Sequence, residues 1–281
     1  MSLRPAEFAA RDGFRLGGCL YRPAKSNGRA VLVNGAVGIR QQYYAAFAAF
    51  LEERGFTVLT YDYRGIAASR HGDVRDLPAR IRDWAQLDAA AALDELARAA
   101  PEAQLLAVGH SFGGNCLGLL PGNERLSGAL FVGVQSGYWR HWHGLGRAGM
   151  WFLTHALLPG VSSLLGYVPA AIFGQGEDLP AGVAGEWAAW CRDPRYAVGA
   201  VGAQGYASFK APIRSYWIAD DGYAPRAATE AILREYASAP SEVITVDRAQ
   251  YGGAKIGHFG FFRERFRGSL WRDAAEWLAR A

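Results

Sequence analysis

A chain of 281 residues, 51 % hydrophobic and 20 % charged, has apolar material for one large core and too little charge for general disorder. Its net charge of +4 is carried almost wholly by arginine, because Lys25, Lys210 and Lys255 are the only lysines. The arginines are scattered, with no basic stripe to follow a phosphate backbone, so no nucleic-acid partner is expected. Cys19, Cys116 and Cys191 stand far apart and form no Cys-x-x-Cys pair, which argues against a disulfide framework or a zinc site, and no metal or organic cofactor is implied by the motifs of the chain.

Met1 to Pro5 lacks the apolar core of a signal peptide, and a cytoplasmic location is the expectation. From Glu7 to Pro23 the pattern predicts two short antiparallel strands around the turn Asp12-Gly13. Ala30 to Val33 is continuously apolar, as expected of a strand buried on both faces. Tyr43, Phe47, Phe50 and Leu51 fall at helical spacing before Gly55, and Phe56 to Tyr61 is the next buried strand. A long helix is predicted from about Pro78 to Ala100, with Ile81, Trp84, Leu87 and Ala91 on its inner face. Leu105 to Val108 and Ala129 to Val134 are further apolar strands.

After Ser136 the alternation stops until Ile213 to Ala219, too long an interval for a structureless loop. Residues 138–210 are therefore expected to be a helical cap inserted after the sixth strand. Residues 1–137 and 211–281 form the core, where the alternation resumes with a helix, the strand Glu242 to Val246 and a last helix. The whole predicts an α/β fold with a mostly parallel sheet flanked by helices. From Ala148 to Gln175 there is no Asp, Glu, Lys or Arg, a run long enough to span a bilayer. Pro159-Gly160, Ser162-Ser163 and Pro169 interrupt it, so short lid helices with transient lipid contact are expected rather than an integral membrane segment.

The chemistry centres on Gly109-His110-Ser111-Phe112-Gly113-Gly114, which lies between a predicted strand and a predicted helix. A Gly-x-Ser-x-Gly turn in that setting projects a nucleophilic hydroxyl from a sharp, strained bend, and side chains at Gly109 or Gly113 would collide there. Serine needs an imidazole to take its proton and a carboxylate to orient that imidazole. His258 follows the last strand, while Asp220 and Asp221 follow Ile213 to Ala219, giving the chain order Ser, Asp, His. Asp221 is preferred because Asp221-Gly222-Tyr223-Ala224-Pro225 leads into a helix, with Asp220 as the rival. The backbone N–H groups of Phe112 and of Ala36, in the loop Asn34-Gly35-Ala36-Val37-Gly38, are the expected oxyanion donors, a neighbour of Ala36 being the alternative. Trp139, Trp142, Trp151 and Trp187 are candidates to line an apolar substrate pocket, or equally to fix the lobe to the core.

These motifs resemble those of the α/β-hydrolase superfamily over essentially the whole chain. Gly109 to Gly114 looks like its nucleophile elbow, Asp62-Tyr63-Arg64-Gly65 like its Asp-x-Arg-Gly loop, and Gly257-His258-Phe259 like its catalytic-histidine loop. The chain looks most like the serine aminopeptidase, monoglyceride-lipase and lysophospholipase-like branch. It is closer still to a bacterial group of predicted hydrolases, through Gly176 to Gly182, Ala219-Asp220-Asp221 and Ile256 to Arg263. Two positions depart from the pattern: Asn34-Gly35 replaces His-Gly before the oxyanion residue, and Ala67 replaces a glycine. The resemblance implies a Ser-His-Asp hydrolase acting on a small-molecule ester or thioester with an apolar acyl part. Acyl transfer through the same acyl-enzyme, or a non-catalytic binding role, are the alternatives; the oligomeric state is not encoded in any motif.

Overall fold

A computed structural model describes residues 4–281. Its main sheet has eight strands in the order β1-β2-β4-β3-β5-β6-β9-β10. These are β1 (Arg4–Ala9), β2 (Arg15–Tyr21), β3 (Arg29–Asn34), β4 (Thr57–Tyr61), β5 (Gln104–His110), β6 (Leu126–Val132), β9 (Ile213–Ile218) and β10 (Ser241–Val246). The hairpin β1–β2 is antiparallel and joins β4 antiparallel, whereas β4, β3, β5, β6, β9 and β10 run parallel. The intervening β7 (Tyr167–Val168) and β8 (Leu179–Pro180) form a separate two-residue ladder in the segment between β6 and β9.

Successive residues of a strand face opposite ways, and β3 shows how that builds two cores. Ala30 and Leu32 pack with Trp84, Leu93, Leu96, Cys116, Leu117 and Ile232 on one face. Val31 and Val33 pack with Phe47, Phe50, Trp271 and Leu278 on the other. Helices 81–99, Phe112–Leu119 and Arg226–Glu235 thus cover one side, and helices Ala45–Glu52 and Leu270–Leu278 cover the other. A parallel sheet covered on both faces explains why its strands read as unbroken apolar runs.

The segment between β6 and β9 differs from expectation at its most apolar stretch. Instead of short helices, residues Gly144–Leu165 form one helix of 22 residues. Pro159 does not break it, because the preceding turn, Leu153–Leu157, is a π-helix in which the Leu158 N–H reaches back to the Leu153 carbonyl. That five-residue spacing widens the turn just where proline's missing N–H and its ring would otherwise meet the residue four back. The helix is long and apolar enough to cross a membrane by length and composition, yet it packs against helix Ala181–Arg192 within the insert. Its outer face leaves Leu145, Trp151, Phe152 and Leu164 exposed.

Candidate active site

Ser111, Asp221 and His258 all lie after the C-terminal ends of parallel strands. Ser111 sits between β5 and helix Phe112–Leu119 with φ 53° and ψ −118°, a left-handed conformation costly for any residue with a side chain. The glycines around it allow that bend. A Cβ at Gly113 would lie 2.0 Å from the Asn34 carbonyl oxygen, and one at Gly109 would lie 2.5 Å from the Gly114 nitrogen. The turn is thus wedged between its own helix and the end of β3.

His258 follows β10, with Nδ1 2.7 Å from Asp221 Oδ2, and both side chains are buried. Of the two adjacent acids, Asp221 faces the ring and also accepts from the Tyr223 N–H. Asp220 takes a different part: it accepts from the N–H groups of Ile256 and Gly257 and so holds the loop that carries His258. Gly133, at the end of β6 with φ +58°, closes the back of this pair. A Cβ there would stand 3.1 Å from His258 Nδ1 and 3.2 Å from Asp221 Oδ2. Nothing in the local sequence marks that glycine, because its constraint comes from two distant segments. Ser111 Oγ has its side-chain contact with Gln135 Nε2, at 3.4 Å, and makes no hydrogen bond to His258 among the described residues.

The oxyanion loop requires a correction. The Ala36 N–H donates to the Tyr44 hydroxyl at 2.9 Å and is not free to meet a substrate oxygen. Tyr44 in turn contacts His110 Nδ1 at 2.9 Å, and His110 Nε2 contacts the His258 carbonyl at 2.9 Å. Only one proton arrangement satisfies this chain: Nε2–H donates to the carbonyl, and Nδ1 accepts from the tyrosine. Burial and the neighbouring His258 push His110 well below the usual histidine range, so it stays neutral and keeps that arrangement. Next along the loop, Val37 lines the pocket, and its N–H has no backbone or side-chain acceptor among the described residues. The Phe112 N–H, at the first turn of its helix, is likewise unpaired, as helix geometry requires.

The pocket has a cavity volume of about 80 Å³ and is lined by Ser111, Phe112, His258, Asn115 and Gln135 from the sheet side. The insert contributes Phe173, Gln175, Trp187 and Tyr196. Of the four tryptophans expected there, only Trp187 lines it, its Nε1 donating to the Tyr196 hydroxyl at 2.8 Å. Trp142 instead ties the insert to the Asp221 loop by donating to the Gly222 carbonyl at 2.9 Å. Trp151 is 46 % exposed and stacks on His155, while Trp139 meets the edge of the same ring. Tryptophan content signals an apolar lobe but not the direction in which each ring points. Tyr196 and Phe173 lie outside every motif, whereas Tyr223 and Phe259 lie within the Asp221 and His258 motifs that carry no lining signal of their own.

The departure at Ala67 is met by a positive φ, and that at Asn34 by one hydrogen bond, its Nδ2 being buried without a partner among the described residues. Asn34 Oδ1 accepts from the Tyr61 hydroxyl at 2.7 Å, and Ala67 adopts φ 35°. Asp62 is buried and accepts from the Gln41 and Ala68 N–H groups, and burial pushes its pKa up to about 6. Arg64 pairs with Asp88 and Asp12, each with an N···O distance of 2.7 Å, joining the helix 81–99 to the β1–β2 hairpin. Both residues of the Asp-x-Arg-Gly loop therefore tie segments together beside the pocket. The segment Gly176 to Gly182 latches the insert to the oxyanion loop: Glu177 donates its N–H to the Gly38 carbonyl at 2.8 Å and pairs with Arg40. Among the described residues, no group of three His, Cys, Asp or Glu side chains is placed to hold a metal ion.

Sheet order, nucleophile turn and acid–histidine pair together define an α/β hydrolase, and residues 30–267 match the model of the Alpha/beta hydrolase family. The chain belongs to that family. No curated protein matches it by sequence. Among solved structures it is similar to the esterase domain of a Rhodothermus marinus protein, with a TM-score of 0.63, 15 % identity and coverage of 100 % and 99 % of the two chains. A lipase in its open form gives a TM-score of 0.68 at 16 % identity, with 99 % of each chain covered. The α/β hydrolase GrgF from Penicillium sp. sh18 gives 0.64 at 18 % identity, covering 100 % of this chain and 99 % of the other.

Proposed function

We propose that the protein is a serine hydrolase that cleaves a small-molecule ester or thioester with an apolar acyl part. One observation carries the reading: a serine on a strained strand-to-helix turn shares a pocket with a histidine whose far nitrogen is 2.7 Å from a buried carboxylate. Ser111 Oγ, turning from Gln135 toward His258, attacks the carbonyl carbon as His258 Nε2 takes its proton. Asp221 accepts from Nδ1–H and stabilises the imidazolium. The oxygen that gains charge is met by the N–H groups of Phe112 and Val37. His258 then protonates the leaving group, the acyl-enzyme forms, and water activated by the same ring releases the acid.

Residues 138–210 act as the cap that supplies the apolar wall through Phe173, Trp187 and Tyr196. The family membership and the esterase and lipase among similar structures favour this chemistry. The motifs resemble those of the serine aminopeptidase, monoglyceride-lipase and lysophospholipase-like branch, which favours the same chemistry.

The test is labelling with a fluorophosphonate probe alongside hydrolysis of p-nitrophenyl butyrate. We expect labelling at Ser111 and a fall of roughly 10⁴-fold or more in kcat/KM for Ser111→Ala. A folded wild type that neither labels nor hydrolyses, or a Ser111→Ala variant that keeps its activity, rules the reading out.

A further inference from the structure

A second cavity, of about 370 Å³, shares Tyr223, His258 and Phe259 with the pocket that holds Ser111. The residues found in only one of the two divide by chemistry. Ser111, Phe112, Phe173, Trp187 and Tyr196 line the first alone, and Asp220, Lys255 and Arg263 line the second alone. Lys255 folds back over the histidine loop, its Cε 3.6 Å from where a Cβ on Gly257 would stand. Arg263 lies beside the Tyr43 hydroxyl, which donates to the Phe259 carbonyl. The two cations thus flank the residues on either side of His258, and both are exposed, so an incoming group can reach them.

Their charges are uncommitted. Arg265 donates to the Lys255 carbonyl and Arg267 pairs with Glu53, but Lys255 and Arg263 pair with no carboxylate among the described residues. Asp220, the acid on this lining, already accepts from the N–H groups of Ile256 and Gly257, at 3.0 and 2.7 Å. Protonation of His258 during the reaction adds a positive charge to the same wall. Such a lining attracts and orients an anion. We propose that the leaving group of the substrate carries an anion, a carboxylate or a phosphate on a short spacer, which Lys255 and Arg263 hold in the second cavity. The side follows from proton delivery: a carbonyl at Ser111 has an acyl end and a leaving end, and His258, common to both cavities, hands its proton to the leaving atom. The first pocket has about 80 Å³ where one water needs about 10–15 Å³, so a short acyl group against Phe173, Trp187 and Tyr196 fills it and the other end lies outside. Because both cations are exposed, the gain is modest and screened by salt.

This inference rests on the hydrolase reading, and the experiment separates the two. Hydrolysis of 3-(butyryloxy)propanoate and of 2-(butyryloxy)ethyl phosphate is compared with that of the neutral 3-(butyryloxy)propanamide, at low and at high salt. Fluorophosphonate labelling of Ser111 runs in parallel. The expected result at low salt is a kcat/KM roughly three- to tenfold higher for at least one anionic ester, chiefly through KM, and a smaller gain at high salt. The ester preferred tells carboxylate from phosphate. The ratio falls part-way in Lys255→Met and in Arg263→Met, falls toward one in the double variant and persists in Lys255→Arg, with labelling of Ser111 reporting that the site is assembled in each. Equal rates for charged and neutral esters with intact labelling overturn this inference and leave the hydrolase reading standing, as does a preference that survives in the double variant. A gain seen instead with the anion on the acyl group, with monoethyl succinate against ethyl butyrate, overturns the leaving-group assignment. Loss of both labelling and hydrolysis in folded protein removes the hydrolase reading and this inference with it.

Discussion

On the sheet side of the pocket, Ser111 is held by a wedge of backbone: Gly109, Gly113 and Gly133 each sit where a single added carbon would strike a neighbour. On the opposite side, the insert offers Phe173, Trp187 and Tyr196 inward while its longest helix turns Leu145, Trp151, Phe152 and Leu164 outward. The first wall leaves little or no room for an added atom, and the second carries apolar side chains both toward the pocket and toward solvent. The difference teaches where each kind of function is stored. On the proposed hydrolase reading, close backbone contacts at the sheet edge would fix the reacting groups, and side chains of residues 138–210 and of the loop after β6 would meet the substrate.

Substitutions can test that contrast, beginning with the sheet edge. Gly113→Ala drives a methyl group into the Asn34 carbonyl oxygen, 2.0 Å away, so we expect at least about 3 kcal/mol of lost stability in urea melts and loss of activity. Gly133→Ala is expected to act on chemistry more than on fold. Its methyl group presses on both His258 and Asp221, and kcat should fall by roughly 10- to 100-fold, read in steady-state kinetics beside a modest drop in Tm. Tyr44→Phe removes the acceptor of the Ala36 N–H and the donor to His110 Nδ1 together, costing about 1–3 kcal/mol in the same melts. If Tyr44→Phe is neutral, the link between the oxyanion loop and the His258 loop does not contribute to stability.

A smaller effect should appear with pH. Burial raises Asp62 to about 6 in the folded protein, above its ordinary value of 3.8, so the folded state holds this proton more tightly than the unfolded chain does. The associated stability is fully present below the ordinary value and is lost as pH rises through about 6. Urea midpoints measured between pH 4.5 and 7 should therefore show a flatter dependence for Asp62→Asn than for wild type; identical slopes would show that Asp62 is not the source. Least of all is expected from Leu145→Ser and Phe152→Ser on the outer face of the insert. Each should change stability by no more than about 0.5 kcal/mol while lowering the binding of a hydrophobic dye. A large loss at either position would mean that this face is packed against something in solution.

The sheet and the nucleophile turn were legible because their constraints are local. Continuous apolar strands, a Gly-x-Ser-x-Gly bend and acidic or histidine residues just past strand ends are patterns within a few residues of one another. The loop's own residues do not show that the Ala36 N–H is occupied, because the hydroxyl that accepts from it comes from Tyr44, on a separate element. Gly133 was invisible because the atoms it makes room for belong to residues 221 and 258. Trp139, Trp142, Trp151 and Trp187 share one composition signal but differ in surroundings: Trp139 and Trp151 meet His155, Trp142 meets the Gly222 carbonyl, and Trp187 meets Tyr196. Pro159 looked like a helix breaker, yet a π-turn accommodated it, and no residue type announces a π-turn.

The nucleophile helix also has a partner that arrives late. A Cβ at Gly118 would lie 2.2 Å from the Tyr206 ring, and one at Gly205 would lie 2.2 Å from the Gly118 carbonyl oxygen. Tyr206 donates to the Asn115 carbonyl, and Tyr236 donates to that of Gly114. Ribosomes deliver the chain from the N-terminus, so the helix that begins at Phe112 waits for about ninety further residues before its cover exists. Until Tyr206 and Tyr236 are made, the Asn115 and Gly114 carbonyls lack these two donors, so the helix that follows Ser111 is completed only by residues far downstream.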